Sequence, residues 1–584
     1  MIKLINEFND FEIDIIRKYI NENHYIIFGT GEGSKELVRI LDKKPQFFLD
    51  NNREKYNQKF LDREVKSPNV LIDNNYEGII IIASMYYKEI SLQLDSIIDA
   101  KKIKYYNLNS IEDILYNHII NKVESIERID DKIRYLVSIE EEVYNVKSAN
   151  YIKDKLYSLR VNELRRYIID NRKKKNVIIY HLESISQQIL KNNLEYFKTL
   201  KKLQKQSINL TKFFSSATST YMAMSSFFHG NDFELDKKHK LYDDVPVDNI
   251  EENLFSILEK EDYRTLSTVY WDDTESVNRL NISHNKTYTS KSSYRDFIKS
   301  IDDFIDEDTK PFAIYATDAR THLIYQKWNK PDEMTHISKL KWGYRNVDKT
   351  LSNIIQILKE KNILKDTIII CYGDHGDDYW THNFNKGFAH GIEPYSNMIH
   401  TPAFIYCEDI PHINFDNVCS TINMKSTILY LLGIEGENKF KYSGKSVFDN
   451  DGYAYSQNLL ANQFVDEQRG LLKAYSITND TYNLIASNAG LEMYAYEMDP
   501  YNYNNLLNFF YIGNGGNLEL KEFKDSHDHF NVLFDERQIE DIRNNYCLLV
   551  NLLKARIEEK NIVAKENKFD IDNFKKIKER KYNW

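Results

Sequence analysis

Short apolar runs separated by amphipathic stretches constrain the fold of this 584-residue chain more than any other feature. Two examples are IIIIAS at residues 79–84 and IIIC at residues 368–371, which have the length of a strand and are too short to cross a bilayer. Strands that alternate with helical periodicity are typical of βαβ units, in which helices pack on a parallel sheet. The sequence therefore predicts an α/β fold, and its length is enough for two or three domains.

Changes of pattern along the chain predict four segments. Residues 1–120 alternate strands with amphipathic stretches and predict a Rossmann-like N-terminal domain. Residues 121–173 lack Pro and Gly and predict a helical connector, either short helices packed on a neighbour or a coiled-coil dimer. A second α/β alternation over residues 174–510 predicts the largest domain, and residues 511–584 predict a C-terminal helical extension. The sequence leaves the oligomeric state open.

Composition narrows the classes of partner and compartment. Lys and Arg number 78 against 88 Asp and Glu, a net charge of −10, so the chain lacks the basic surplus of a nucleic-acid-binding protein. Four cysteines without a CxxC pair predict neither a disulfide framework nor a thiolate metal site. The first residues show no signal-peptide pattern and the chain has no long apolar run. We therefore expect no membrane span and a cytoplasmic location.

The strongest local signal is Asp374-His375-Gly376, which directly follows the apolar strand TIIICYG. Ligands of parallel α/β sheets gather at the carboxyl ends of the strands, so this strand would carry a carboxylate and an imidazole to a metal site. Gly376 would allow the chain to leave by a tight turn. The alternative is a turn capped by the aspartate, with the histidine exposed to solvent.

Two further motifs carry chemistry of the same kind. Glu183 ends the apolar strand NVIIYHLE, where a carboxylate must be solvated, paired or bound to a metal. Its alternative is a solvent-facing position at the sheet rim. Hydroxyl residues at 215–220, among them Thr218, precede an apolar helical stretch. A hydroxyl at a helix N-terminus suits attack on an anionic phosphoryl group, although an ordinary N-cap is the alternative.

Taken together and in this order, the motifs resemble the sulfatase / alkaline-phosphatase superfamily over about residues 174–510, and they are most similar to its phosphoethanolamine transferase and lipoteichoic acid synthase branch. The resemblance implies an alkaline-phosphatase-like central sheet flanked by helices. It also implies a divalent metal, Zn²⁺ or Mn²⁺, held by Glu183, Thr218, Asp374 and His375. Thr218 would then be the nucleophile.

Other segments extend the resemblance to the substrate side. PFAIYATDARTHLIY and GFAHG are similar to family segments that carry histidines, which implies catalytic and substrate-binding roles for His322 and His390. The segment MIHTPAFIY is similar to another and implies a substrate-binding role for His400. For His400 the alternative is a residue at a strand start, held by the backbone.

The sequence also departs from the family. Sulfatases proper carry a C/S-x-P-S-R motif whose first residue becomes formylglycine, and this chain has no such motif. The resemblance therefore implies phosphoryl or phosphoethanolamine-type transfer through a phosphothreonine intermediate, on a small-molecule or glycan phosphoester, in surface-glycan modification. The alternatives are a soluble phosphodiesterase or phosphatase, a sulfate-ester hydrolase, and a degenerate sulfatase-fold binding module.

A glycine-rich loop in the N-terminal domain suggests a second ligand. Gly29, Gly31 and Gly33 follow a predicted strand, and Asp50 ends the next strand, which is the placement of a dinucleotide fingerprint. The third glycine comes one residue early, and Glu32 would face a pyrophosphate. The loop predicts a bound nucleotide or nucleotide-sugar, with a structural or partner-docking domain as the alternative.

Overall fold

The computed structural model describes most of the chain as two compact units, Met1–Glu163 and Leu164–Trp584. The residues that it describes are 8–73, 76–98, 103–107, 112–170, 173–231, 252–270, 286–290, 293–322, 336–379, 381–382, 388–435, 443–458, 473–521, 535–563 and 568–578.

The first unit contains one sheet with helices on both of its faces. Its strands are β1 Tyr25–Phe28, β2 Phe48–Leu49, β3 Lys59–Phe60, β4 Arg63–Lys66, β5 Gly78–Ile82 and β6 Ile103–Asn107. Its helices are α1 Asp10–Glu22, α2 Glu32–Leu41, α3 Val70–Asp73, α4 Tyr87–Ile97, α5 Glu112–Ser125, α6 Ile129–Glu140 and the first part of α7 Val146–Asp170.

The sheet order is β3-β4-β2-β1-β5-β6, and every pair except β3 with β4 is parallel. Because β1 lies in the middle, the chain builds outward first to one side and then to the other, and the carboxyl ends of β1 and β5 diverge at a switch point. Apolar residues of α5, α6 and α7 pack in the same core as β1, so the first unit extends beyond the predicted boundary at residue 120. Ligand binding by this domain stays a prediction.

The second unit is built on an eight-stranded sheet, with a smaller antiparallel sheet beside it. The strands are β7 Asn176–Leu182, β8 Ile208–Leu210, β9 Phe213–Phe214, β10 Arg264–Tyr270, β11 Lys286–Ser290, β12 Phe312–Asp318, β13 Thr367–Gly373, β14 Asp378–Tyr379, β15 Phe388–Ala389, β16 Ala403–Tyr406, β17 Ile413–Phe415, β18 Cys419–Ser420, β19 Ala454–Asn458, β20 Ala474–Thr478, β21 Tyr482–Ser487, β22 Gly490–Ala495, β23 Phe510–Ile512 and β24 Leu518–Leu520. The helices are α8 Gln187–Asn192, α9 Lys198–Gln204, α10 Thr220–His229, α11 Leu254–Lys260, α12 Tyr294–Asp306, α13 His336–Glu360, α14 Ser396–Ile399, α15 Met424–Leu432 and α16 Glu536–Val563.

The large sheet has the order β11-β10-β12-β7-β13-β16-β8-β17. Strands β10, β12, β7 and β13 run parallel, and β16 pairs antiparallel with β13. Apolar residues of these strands pack against α12 and α13 in one buried cluster. The predicted α/β class, with a central sheet flanked by helices, is confirmed. The pairing of Gly373 with Leu182 places the carboxyl ends of β7 and β13 side by side.

The smaller sheet, β19-β20-β21-β22, packs against the long helix α16 of the predicted C-terminal segment. All four cysteines are free thiols, as the sequence predicts. Among the described helices, none combines the length and the apolarity needed to cross a membrane.

A buried ion-pair network connects Lys578, near the C-terminus, to the loop that follows β15. Lys578 Nζ lies 2.8 Å from Glu393 Oε1 and 2.9 Å from Glu492 Oε2, and it also donates to the Tyr395 hydroxyl at 2.9 Å. Glu393 and Glu492 are both buried. Removing one partner of such a pair leaves a largely buried charge without its counter-charge.

We therefore expect Lys578→Met to lower the free energy of unfolding of the second unit by about 3 kcal/mol, measured by urea denaturation. Lys575→Met is the matched control, because Lys575 forms an exposed pair with Asp572. The control should unfold at the same urea concentration as the wild type. Equal midpoints for both variants would contradict a stabilising role for the buried network.

Candidate active site

Two neighbouring strands bring two acidic side chains to one edge of the large sheet. Glu183 directly follows β7 and Asp374 directly follows β13, and both side chains are buried. Between them, Ser184 has a positive φ of 57° and its N–H donates to Asp374 Oδ1 at 3.0 Å. Positive φ is uncommon for a residue with a side chain, and here it turns the chain so that the two carboxylates share one site.

The predicted Asp-His pair adds an imidazole to this site. His375 Nδ1 donates to the Gly376 carbonyl at 2.8 Å, which leaves the lone pair on Nε2. His375 Nε2 lies 3.3 Å from Asp374 Oδ2 and 3.8 Å from Glu183 Oε1. A glycine is required at position 376 because a Cβ there would stand 2.1 Å from the carbonyl oxygen of Asn397.

The hydroxyls that contact this cluster belong to Thr220 and to Ser184, whose Oγ donates to Glu183 Oε1 at 3.2 Å, and not to the predicted Thr218. Thr220 Oγ1 lies 3.1 Å from both Glu183 Oε1 and His375 Nε2. It is the first residue of helix α10, where unpaired backbone N–H groups and the positive end of the helix dipole favour negative charge.

Thr218 is wholly buried and has other partners. Its Oγ1 donates to the Ile392 carbonyl at 3.0 Å, its N–H donates to the Gln457 carbonyl, and its own carbonyl accepts from Gly391. These backbone bonds hold residue 218 like a strand residue between two neighbouring segments. The structure therefore does not bring the predicted nucleophile to the cluster, and brings a threonine two residues later.

His181 is a member of the cluster that sequence reasoning missed. Its Nε2 lies 3.2 Å from Asp374 Oδ2 and 3.6 Å from Glu183 Oε2. Its Nδ1 lies 2.6 Å from the Tyr315 hydroxyl, which donates to Met224 Sδ at 3.3 Å, so Nδ1 is the donor and Nε2 keeps its lone pair. One signal was available, since residues two apart on a strand share a face, and His181 comes two residues before Glu183.

These side chains form a donor set that fits a divalent cation. His181, Glu183 and Asp374 offer one ligand atom each within 4.8 Å of one another, and all three are buried. His181 Nε2 and Asp374 Oδ2 have no hydrogen-bond partner among the described residues. Buried polar atoms are rarely left so, and a cation would satisfy both. Mixed nitrogen and oxygen ligation is typical of Zn²⁺ and is also compatible with Mn²⁺.

The protonation states suit metal binding. Burial raises the pKa of Asp374, but the nearby imidazoles of His375 and His181 outweigh it and hold the pKa below its usual range. Burial lowers the pKa of His375 in spite of the Asp374 charge. At neutral pH the site therefore contains an ionised carboxylate and a neutral imidazole, the forms that bind metals.

Two predicted histidines lie on the side of the cluster that is open to solvent. His322 Nε2 is 3.9 Å from Glu183 Oε1, and the His390 ring packs 4.6 Å from the His375 ring and 5.1 Å from the His322 ring. The side chains of His322 and His390 are 12% and 17% exposed, whereas that of His375 is fully buried. The structure thus brings both predicted residues to the site.

Asp377 sets the charge of this open side, and it too was missed from the sequence. His390 Nδ1 lies 2.9 Å from Asp377 Oδ1. Burial alone would lower the pKa of His390, but Asp377 outweighs it and raises the pKa. Burial and the neighbouring His390 lower the pKa of His322 to about 3. His375, Asp377 and His390 form a second group with the spacing of metal ligands.

His400 is engaged elsewhere. Its Nε2 is 3.0 Å from the Thr211 carbonyl oxygen, and its ring stacks on Phe214 at a centroid distance of 4.8 Å. Burial lowers the pKa of His400, so the ring is neutral. This is the backbone-held arrangement of the alternative prediction, not a substrate contact.

A cavity of about 390 Å³ opens beside the cluster at Asp377. Four tyrosines line it, namely Tyr344, Tyr379, Tyr501 and Tyr503, together with side-chain amides such as that of Asn192. The Asn192 amide donates to the Tyr501 hydroxyl at 3.2 Å. Aromatic faces with few charges beside a buried polar centre are typical of pockets that bind small organic groups.

Comparison with protein families gives two matches. Residues 165–434 match the Sulfatase family, and residues 21–104 match the family described as C2185-like, N-terminal. The first match contains the cluster residues Glu183, Thr220, Asp374 and His375. No match was found among curated proteins.

Solved structures with a similar fold are distant in sequence. The lipoteichoic acid synthase LtaP from Listeria monocytogenes is 19% identical, with a TM-score of 0.43, over 58% of this chain and 90% of LtaP. BT1596, a 2-O GAG sulfatase, is 13% identical, with a TM-score of 0.48, over 63% of this chain and 91% of BT1596. A protein of the alkaline phosphatase superfamily from Vibrio parahaemolyticus is 14% identical, with a TM-score of 0.42, over 63% of this chain and 91% of that protein.

These sequence identities and TM-scores are too low for an activity to be inferred from them. The assignment to a family therefore depends on the match of residues 165–434 to the Sulfatase family. The matched segment begins in helix α7, includes the parallel core of the large sheet and ends just after α15, and it carries the acid and histidine cluster. Residues 165–434 of this chain therefore form a sulfatase-family domain, as the resemblance of its motifs predicts.

Proposed function

We propose that the second unit is a metal-dependent phosphoryl transferase or hydrolase in which Thr220 is the nucleophile. One observation carries the proposal: the Thr220 hydroxyl lies 3.1 Å from both Glu183 Oε1 and His375 Nε2, at the first residue of helix α10. An alcohol becomes a good nucleophile where its proton has an acceptor and where negative charge is stabilised, and both conditions are met here.

The metal would be held by His181, Glu183, Asp374 and His375, with the Thr220 oxygen beside them. When bound, a divalent cation lowers the pKa of a neighbouring hydroxyl and stabilises negative charge on phosphoryl oxygens. Compared with the ligand set implied by the resemblance, Thr220 replaces Thr218 and His181 is added.

The residues of the chain then supply the proton transfers. Thr220 Oγ1 forms a bond to phosphorus as its proton moves toward Glu183, and the bond between phosphorus and the leaving oxygen breaks. His390, on the open side, donates a proton to that leaving oxygen, and His322 binds a phosphoryl oxygen. Water or an acceptor alcohol then attacks phosphothreonine 220 and releases the product with the threonine restored.

Phosphoryl transfer is favoured over sulfate-ester hydrolysis because of the nucleophile. Formylglycine, on which sulfatases depend, forms from Cys or Ser, and the hydroxyl at the start of helix α10 beside Glu183 and His375 is that of a threonine. The tyrosine-lined cavity beside Asp377 would hold the organic part of a small-molecule or glycan phosphoester. The finer proposal is therefore a phosphoethanolamine-type transferase of surface-glycan modification, with phosphodiesterase or phosphatase action when water is the acceptor.

A substrate screen with metal analysis tests this function. The full chain, loaded with Zn²⁺ or Mn²⁺, should turn over nitrophenyl phosphodiesters or monoesters at least tenfold faster than nitrophenyl sulfate. Sulfate-ester turnover at the higher rate would replace the phosphoryl proposal. A protein that binds no stoichiometric metal after metal-replete expression, and turns over none of these esters, would instead be the degenerate binding module.

The added ligand has its own test. We expect His181→Phe to weaken Zn²⁺ binding about 10- to 100-fold, because a buried imidazole nitrogen is lost while ring volume is kept. A chelator competition titration measures the affinity, and circular dichroism checks folding. His412→Gln, at an exposed position, should bind Zn²⁺ like the wild type. Unchanged affinity in folded His181→Phe would remove His181 from the ligand set.

A further inference from the structure

The first unit contains a cavity that the metal centre does not use. It has a volume of about 890 Å³ and is lined by residues that follow β1, β2 and β5. β1 and β5 are the two strands at which the order of the sheet reverses. In open parallel sheets, ligands bind in the crevice outside the carboxyl ends of the strands at this switch point. The position and size are those of a site for an organic ligand.

The glycine-rich loop leaves its backbone open toward this cavity. Gly29 has a φ of 118°, and a Cβ there would stand 2.9 Å from the Ala83 carbonyl oxygen, so the loop packs directly on the end of β5. Ser34 Oγ donates to the Gly29 carbonyl at 2.9 Å and holds the loop in place. At Gly31, in contrast, a Cβ would meet no atom within 4 Å. A ligand can therefore approach the main chain at Gly31.

Asp50 presents a fixed carboxylate on the other side of the cavity. Its Oδ2 accepts from the Thr30 hydroxyl and from Lys55 Nζ, the latter at 2.9 Å, and its Oδ1 accepts from the Asn52 N–H at 2.8 Å. Burial raises the pKa of Asp50, but these hydrogen bonds outweigh it and the pKa is lowered. A carboxylate oxygen can accept two hydrogen bonds. Asp50 Oδ1 accepts one, from the Asn52 N–H, and therefore has one position left for a ligand hydroxyl.

The third wall is apolar and exposed. Met85 and Tyr86 line the cavity just after β5, with 71% and 63% of their surfaces exposed. Large apolar side chains exposed at the rim of a cavity are typical of a binding surface, and a thioether and an aromatic ring can each pack on the flat face of a heterocyclic base.

The charge of the lining decides which nucleoside derivatives fit. The lining includes the carboxylates of Glu32, Glu36, Asp50 and Glu89 and the ammonium of Lys55. Three of these carboxylates form ion pairs, Asp50 with Lys55, Glu32 with Lys35 and Glu36 with Arg39. Lys55, the cation of this lining, is held by Asp50, so a pyrophosphate would find no unpaired cation in the lining and would enter it at a Coulombic cost. In dinucleotide sites the corresponding loop faces the pyrophosphate through a helix N-terminus, and here Glu32 is the first residue of that helix.

We propose that this cavity binds a ribonucleoside whose 5′ substituent is uncharged or cationic, with the ribose diol on Asp50 and the base against Met85 and Tyr86. The inference narrows the nucleotide predicted from the glycine-rich loop, and it excludes a dinucleotide or nucleotide-sugar as the preferred ligand. It is independent of the function proposed for the second unit.

Calorimetric titration of the full chain tests the ligand class. Adenosine, uridine and 5′-methylthioadenosine are compared with NAD and UDP-glucose, and 2′-deoxyadenosine and 2′-deoxyuridine are the matched controls for the diol. At least one of the first three should bind with a Kd below about 1 mM, and the 2′-deoxy form of a nucleoside that binds should bind at least tenfold more weakly. Tighter binding of NAD or UDP-glucose than of the nucleoside in it, equal binding of the deoxy form, or no binding at all would overturn the proposal.

Two variants place the ligand in the cavity. Gly31 has an extended backbone with a φ of −99°, and a Cβ there would meet no atom within 4 Å, so Gly31→Val should fold normally and lose binding altogether. Asp50→Ala should weaken binding at least tenfold, because it removes the charged acceptor of the diol. Asp62→Asn removes an exposed carboxylate that pairs with Lys44 and does not line the cavity, and it should bind as the wild type does. Wild-type affinity in folded Gly31→Val would overturn the assignment of the site.

Discussion

Thr220→Ala is expected to lower kcat for phosphoester turnover by at least about 10³-fold, because the phosphothreonine intermediate cannot form without the nucleophilic hydroxyl. The hydroxyl is the group of this residue that contacts Glu183 and His375, so its removal leaves the four proposed metal ligands in place. Steady-state kinetics at saturating metal measures the loss, and metal analysis should show unchanged stoichiometry.

Thr218→Ala is the matched control for this variant. It removes one buried hydrogen bond, to the Ile392 carbonyl, and should lower the free energy of unfolding by about 1 kcal/mol while kcat stays within a few-fold of the wild type. Fragmentation mass spectrometry of the rapidly quenched wild type should locate the phosphate on Thr220 and not on Thr218. A large loss of kcat in Thr218→Ala with normal turnover in Thr220→Ala would return the nucleophile to the residue predicted from the sequence.

Asp374→Asn should weaken binding of Zn²⁺ or Mn²⁺ at least about 100-fold. The change keeps the size of the side chain but removes the negative charge that lies between His181 and His375, and a neutral amide is a poor metal ligand. Dialysis followed by elemental analysis measures the metal retained. The melting temperature of the variant should also lose the increase that added metal produces in the wild type.

The matched control lies at the opposite end of the same strand. Asp366 immediately precedes β13, forms a partly exposed pair with Lys173, and loses the same charge in Asp366→Asn. This control should retain stoichiometric metal and wild-type turnover. Equal metal retention in both variants would place the metal, if one is bound, away from Asp374.

The order of apolar and polar residues along the chain was sufficient to predict much of this architecture. Apolar runs of strand length alternating with helical periodicity predict the α/β class, since the periods 2 and 3.6 are properties of the backbone. Glu183, Asp374 and His375 could be proposed together because each follows an apolar strand, and parallel strands present their carboxyl ends at one edge. The same reasoning placed Gly29 and Asp50 beside one cavity in the first unit.

The choice between two threonines depended on distant parts of the chain. Thr218 and Thr220 stand two residues apart in one hydroxyl-rich segment, and no local rule separates them. Backbone bonds to Gln457 and Gly391 hold Thr218 in an extended conformation with its hydroxyl on the Ile392 carbonyl. Helix α10 begins only at Thr220, and its hydroxyl lies beside the proposed metal ligands Glu183 and His375.

The sequence by itself therefore determined which strands are followed by acidic or histidine side chains, because the hydrophobic pattern that marks a strand extends over only a few residues. Only the tertiary structure decided which of those groups meet. It brought His181 and Asp377 to the cluster, placed the hydroxyl of Thr220 and not that of Thr218 beside Glu183 and His375, and packed His400 against Phe214. The physical reason is that ligand geometry requires atoms to lie within a few ångströms of one another, and strand pairing and backbone hydrogen bonds between residues far apart in the chain bring them there.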